Sequence, residues 1–162
     1  LVLNSLKEIQ NKSKLKIKLI MTGQKYSNSR NILNYIKKNK DLNIRYLGKV
    51  SFKKLIKLYS NCKFLISPAI YESSSLTILE AIKMSKPIIA SNTKPNKELG
   101  KIFKINFFKT NESNSLANLI IKIWKNKKLI SKQIKFNRKY INLYNWKRIS
   151  EKYKNEFYKM LN

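Results

Sequence analysis

Acid is what this sequence nearly lacks: eight Asp and Glu stand against 36 Lys and Arg, giving a net charge of +28. Histidine is absent altogether, which excludes His-ligated zinc and any triad built on an imidazole base. A single cysteine, Cys62, leaves no internal disulfide; set just before an apolar run, it reads as a small buried residue. No apolar run reaches the ~18 residues that span a bilayer, and no signal peptide is visible. The expected setting is therefore reducing and cytoplasmic. Glycine and proline are scarce, so where they fall carries information: Gly23, Gly48 and Pro68 each close an apolar stretch.

What is present supports a folded chain. At 162 residues and 43% hydrophobic content, one domain spanning 1–162 can bury a sizeable core. The charge admits two readings. It suits an anionic partner such as nucleic acid, a membrane surface or a phosphorylated ligand. It also suits solvated lysines in a sequence whose Lys, Asn, Ile, Phe and Tyr share AT-rich codons. Only Arg30, Arg45, Arg138 and Arg148 offer the planar fork that grips bases and phosphates bidentately, which argues against nucleic acid.

Apolar periodicity alternates between helix and strand. Residues ~2–12 predict a helix, and Leu15 to Thr22 a strand ending at Gly23. Asn31 to Asn39 is a second helix, and Ile44 to Leu47 a short strand closed by Gly48. Ser51 N-caps a helix carrying Phe52, Leu55, Ile56 and Tyr59, and Phe64 to Ser67 is a near-continuous apolar strand. A helix to about Met84 precedes the buried strand Ile88 to Ala90, and Ile102 to Phe108 is a last strand. Ser115 to Leu161 reads as helical, with Asn145 capping an amphipathic terminal helix that opens at Trp146. Strands apolar on both faces, separated by helices, predict an α/β fold with a Rossmann-like parallel sheet covered on both sides.

In such a sheet, ligands bind beyond the carboxyl ends of the strands. Loops that meet this condition lie at Gly23, Gly48 to Ser51, Pro68 to Thr77 and Ser91 to Glu98. The third is the richest. Glu72 and Glu80, two of the few acids, bracket Ser73, Ser74, Ser75, Leu76 and Thr77. Serines running into a helix N-terminus can offer free amides and a positive dipole end to a diphosphate. Glu72 can accept from sugar hydroxyls, and one carboxylate at Glu80 can accept both hydroxyls of a ribose diol. The bland alternatives stay open: Thr77-x-x-Glu80 also spells a capping box, Glu72 is also a loop acid among lysines, and the serine run is also turn chemistry.

The ordered set Gly48-Lys49-Val50-Ser51, Leu55, Tyr59, Ser67-Pro68, Tyr71-Glu72, Leu79-Glu80-Ala81, Lys86-Pro87-Ile88-Ile89-Ala90-Ser91 and Glu98 resembles one family. It is similar to the C-terminal, donor-binding domain of retaining GT-B-fold glycosyltransferases, the group 1 family. Tyr144-Asn145-Trp146 resembles that family's closing tryptophan helix, and the likeness runs over about residues 15–160. The resemblance implies a nucleotide-sugar donor, UDP- or GDP-linked, with no metal and no further cofactor. It implies that Glu72 is the catalytic-site acid contacting the donor sugar and that Glu80 binds the ribose. Donor contacts would come from Gly23, Gly48, Val50, Tyr71, Ser74, Ser75, Leu76 and Thr77 as well.

Departures are also visible. Ser73 to Ser75 stand where the family usually has glycines, and Ser85 replaces a common glycine before Lys86-Pro87. The acceptor-binding N-terminal domain is missing, so an N-terminal GT-B domain or partner subunit is expected, and transfer without it is not. The expected acceptor is a glycan or a lipid-linked glycan, with peripheral contact at an anionic inner-membrane face. A non-catalytic sugar-nucleotide or protein-binding module and a basic nucleic-acid binder are the alternatives.

Overall fold

The computed structural model describes residues 1–26 and 29–161. Five short strands alternate with helices. In chain order they are α1 (Val2–Lys12), β1 (Leu19–Met21), α2 (Ser29–Lys38), β2 (Ile44–Tyr46), α3 (Phe52–Asn61), β3 (Leu65–Ser67) and α4 (Leu76–Lys83). Then follow β4 (Ile88–Ser91), α5 (Lys94–Gly100), β5 (Asn106–Phe108), α6 (Ser113–Lys125), α7 (Lys127–Tyr140), a 3-10 turn at Ile141–Leu143 and α8 (Trp146–Leu161). All pairing is parallel, but the sheet comes in two pieces: β1 with β2, and β3 with β4 and then β5.

Two apolar layers sandwich these strands, as the alternation of side chains in an extended chain requires. On one face Leu19, Ile44, Ile66, Ile89 and Phe108 pack with Leu6 and Ile9 of α1 and with Leu116, Ile120 and Ile123 of α6. On the other, Leu65, Ile88, Ala90 and Phe107 meet Tyr59 of α3, Ile78, Ala81 and Ile82 of α4, Phe103 and Ile141. Strand β4 is buried from end to end, which makes it the spine of the fold.

Three elements differ from the sequence expectation. Leu15 to Lys18 stays outside the ladder although Leu15 and Ile17 alternate with lysines; it packs apolar side chains on the core without a partner strand. The last strand is only Asn106–Phe108, because Ile102 and Phe103 lie in the turn after α5, where Phe103 is buried. The helical region from Ser115 to the expected cap at Asn145 holds two helices and a 3-10 turn, where no break before that cap was expected. Asn126 separates α6 from α7 and its side chain accepts from the Leu129 amide at 2.8 Å, capping α7. The Ser51 and Asn145 caps form, accepting from the amides of Lys54 at 3.3 Å and Lys147 at 2.9 Å. Cys62 is half-buried rather than sealed; burial pushes its thiol up, and Lys86 opposes that.

The end of α4 carries stored strain. Ser85 amide donates to the Ile82 carbonyl and Lys86 amide to the Ala81 carbonyl, at 2.9 and 2.8 Å, a Schellman closure. That closure needs a left-handed residue, and Ser85 sits at φ 55. A Cβ there costs about 1 kcal/mol that glycine avoids. Ser85→Gly is therefore expected to raise Tm by about 2–4 °C in a thermal scan; an unchanged or lowered Tm would contradict the strain.

Candidate active site

The sequence-singled residues fall into two groups at the carboxyl ends of the strands. Gly23 follows β1 and Gly48 follows β2. The Gly23 amide donates to the Gly48 carbonyl at 3.0 Å, and Tyr46 hydroxyl donates to the Gly23 carbonyl at 2.7 Å. Gly48 has φ +65, a left-handed value that glycine adopts freely, with nothing within 4 Å of where a Cβ would stand. Val50 is half-buried just beyond it. No hydrogen bond joins this pair of loops to the second group among the described residues.

The second group is built on α4. Ser75 is its N-cap residue, two positions before the Thr77 cap that a capping box would need. Its side chain is buried and turned away from the helix amides, so no side-chain cap bond forms. The Ser74 amide is taken by Glu72 Oε1 at 3.3 Å, and the Leu76 amide by the Ser74 carbonyl at 2.9 Å. The amides of Ser73, Ser75 and Thr77 have no protein acceptor among the described residues. Unsatisfied donors at a positive dipole end are the elements of an anion site. Leu76 and Tyr71 stand exposed beside them, Tyr71 almost fully.

The capping-box reading of Glu80 is overturned. Its carboxylate reaches no helix-terminal amide; Oε2 instead accepts from the Tyr59 hydroxyl of α3 at 2.8 Å. Burial, and then the Glu80 carboxylate itself, push the Tyr59 hydroxyl above its ordinary value. The tyrosine thus stays a neutral donor, and it fixes one carboxylate oxygen while the side chain remains exposed with further acceptor capacity. Glu72, half-buried, is held by its own loop through Ser74.

Asn96 on α5 ties the loops together, and the sequence alone gave no sign of this role. It is wholly buried. Its Oδ1 accepts from Ser75 Oγ at 2.6 Å, and its Nδ2 donates to the Ser91 carbonyl at 2.9 Å and to Ser91 Oγ at 3.3 Å. Ser91 Oγ in turn donates to the Ala69 carbonyl in the loop after β3. One side chain thereby fixes the start of α4, the end of β4 and the loop carrying Tyr71 and Glu72. Only its place in a loop leaving a strand could have drawn notice. Among the described residues, no three His, Cys, Asp or Glu side chains gather as a metal site.

Residues 1–140, which hold this parallel α/β sheet and the acid-flanked N-terminus of α4, match the family described as glycosyl transferases group 1. The chain belongs to this family. As a group 1 glycosyltransferase chain it also shares its fold with solved GT-B structures. Sucrose-phosphate synthase from Thermosynechococcus elongatus superposes with a TM-score of 0.81 at 19% identity, over 99% of this chain and 42% of that one. A glycosyltransferase from Rickettsia africae gives 0.77 at 23% identity, over 99% and 44%. HepE from Anabaena, solved with UDP and glucose, gives 0.73 at 16% identity, over 86% and 40%. The group 1 chain thus spans about two fifths of the length of these structural relatives. Comparison with curated proteins finds no match. No helix among the described residues is long and apolar enough to cross a membrane.

Proposed function

We propose that the chain is the donor-binding half of a retaining glycosyltransferase and holds a nucleoside-diphosphate sugar, UDP- or GDP-linked, at the α4 N-terminus. The observation that carries this is the pairing of three acceptor-free amides at Ser73, Ser75 and Thr77 with a tyrosine-held carboxylate at Glu80. The amides receive the diphosphate, Glu80 accepts the ribose diol, and Glu72 accepts from hydroxyls of the transferred sugar. Gly48 and Val50 line the base, and Gly23 sits near the donor. Amide dipoles aimed at the diphosphate stabilise it as it departs with developing charge, which lowers the barrier to transfer.

The site is an open surface. Two grooves of about 490 and 500 Å³ lie away from it, one along α8 and one between α7 and the Gly100–Asn106 segment. An open donor site fits a cleft whose second wall is an acceptor-binding domain, on the same polypeptide or on another. We assign the acceptor as a glycan or lipid-linked glycan, and the excess lysine to contact with an anionic membrane face in the cytoplasm.

Isothermal titration with UDP, GDP and their sugars at two salt concentrations tests this reading. One saturable site with preference for a single base supports it. Binding indifferent to the base and erased by salt would instead identify a generic polycation.

A further inference from the structure

Glu80 stands exposed in a chain with 36 Lys and Arg, yet it forms no ion pair among the described residues. Its fixed partner is uncharged: the Tyr59 hydroxyl donates to Oε2 at 2.8 Å. Glu8, Glu98, Glu112 and Glu156, by contrast, each face a lysine. The difference matters chemically. A lysine would cancel the charge and crowd the oxygens with several donors, whereas a phenol donates once and leaves the charge in place. A carboxylate offers about four lone-pair sites, so about three stay open after Tyr59 has taken one.

The tyrosine is itself held still. Its ring is buried and packs in the layer with Ile78, Ala81 and Ile82 of α4. Cys62 closes α3 just beyond it, its amide and its thiol both donating to the Tyr59 carbonyl at 3.3 Å. The Thr77 carbonyl lies 3.5 Å from the Tyr59 hydroxyl, which places that hydroxyl over the first turn of α4. It therefore stands beside both the turn that offers the Thr77 amide and the carboxylate one turn further on. Burial first, and Glu80 second, keep the phenolic proton in place, so the group donates at neutral pH.

An exposed glutamate that nothing held would rotate about its side-chain bonds, and a ligand would have to stop that motion on binding. We infer that Tyr59 is a positioning residue that sets the preference for ribose over deoxyribose in the bound nucleotide. It fixes the Glu80 carboxylate in advance, so that Oε1 and the unused lone pair of Oε2 are set to accept the 2′- and 3′-hydroxyls. The inference rests on the donor reading above and adds to it a residue that need not touch the nucleotide. Because the carboxylate is exposed, water replaces a missing hydroxyl, and the discrimination stays near the strength of two hydrogen bonds.

Titration calorimetry with UDP and GDP against their 2′,3′-dideoxy counterparts tests it, on the chain itself, Tyr59→Phe, Glu80→Ala and the double variant. Phenylalanine keeps the buried ring and removes the hydroxyl alone. The unsubstituted chain is expected to prefer the ribonucleotide by about 100-fold. In Tyr59→Phe, ribonucleotide affinity should fall about 10-fold and dideoxynucleotide affinity less than about 2-fold, shrinking the preference to about 10-fold. Added to Glu80→Ala, Tyr59→Phe should cost nothing further, since it acts only through the carboxylate. Equal weakening of both ligands, an unchanged preference, or a further loss on the Glu80→Ala background would overturn the role of Tyr59 and leave the donor site standing. No binding, or no preference for ribose, in the unsubstituted chain would remove the donor reading itself and this inference with it.

Discussion

Glu80→Ala is expected to weaken nucleoside-diphosphate binding about 100-fold, the loss of two charge-assisted hydrogen bonds from ribose hydroxyls at ~1.5 kcal/mol each. Glu80→Gln separates this from damage to the scaffold. The amide oxygen still accepts from Tyr59 at the position where the carboxylate does so at 2.8 Å, so the helix pair stays anchored while the charge is gone. Its expected loss is about 10-fold, with Tm unchanged. Titration calorimetry on both variants checks the pair. Equal affinity in wild type and Glu80→Ala would remove Glu80 from the site and return the acid to a structural role against α3.

Asn96→Ala is expected to cost about 2–4 kcal/mol of stability, because it strands the buried Ser75 hydroxyl and the Ser91 carbonyl and opens a small cavity. For a chain of this length that is a fall in Tm of about 5–15 °C. Asn96→Asp separates the two ends of the bridge. It can still accept from Ser75 but cannot donate to Ser91, and it buries a charge with no cation bonded to it, so its loss should be at least as large. Thermal unfolding of both variants is the measurement; a loss under about 1 kcal/mol would mean water replaces the side chain and the loops are fixed elsewhere.

Much of the fold is legible because burial leaves a periodic trace. Ile88 to Ala90 reads as a strand closed on both faces, and Ser51 as a cap, since each is a local rule obeyed locally. Leu15 to Lys18 misleads for an instructive reason: alternation reports which side chains are covered, whereas a strand also needs a neighbour to bond. The break at Asn126 leaves no trace in the apolar spacing, which continues on either side of a single capping side chain. Glu72 and Glu80 stood out through the scarcity of acid around them. Their partners did not, because Tyr59 lies 21 positions before Glu80 and Asn96 lies 21 after Ser75. Contacts at that separation are products of topology, and a single sequence carries no mark of them.

The scarcity of acid has one more consequence. The four ion pairs among the described residues all lie at the surface, Glu8 alone being half-buried, and three join residues only three positions apart. Such pairs contribute little, so most of the 36 cations repel one another across the surface with nothing to neutralise them. Counterions from the buffer take that part. Dissolved salt therefore strengthens the fold by screening self-repulsion and weakens the hold on any anionic ligand by the same screening. Stability and affinity run in opposite directions along one axis, and the ionic strength of the cell sets the point at which the protein is both folded and occupied.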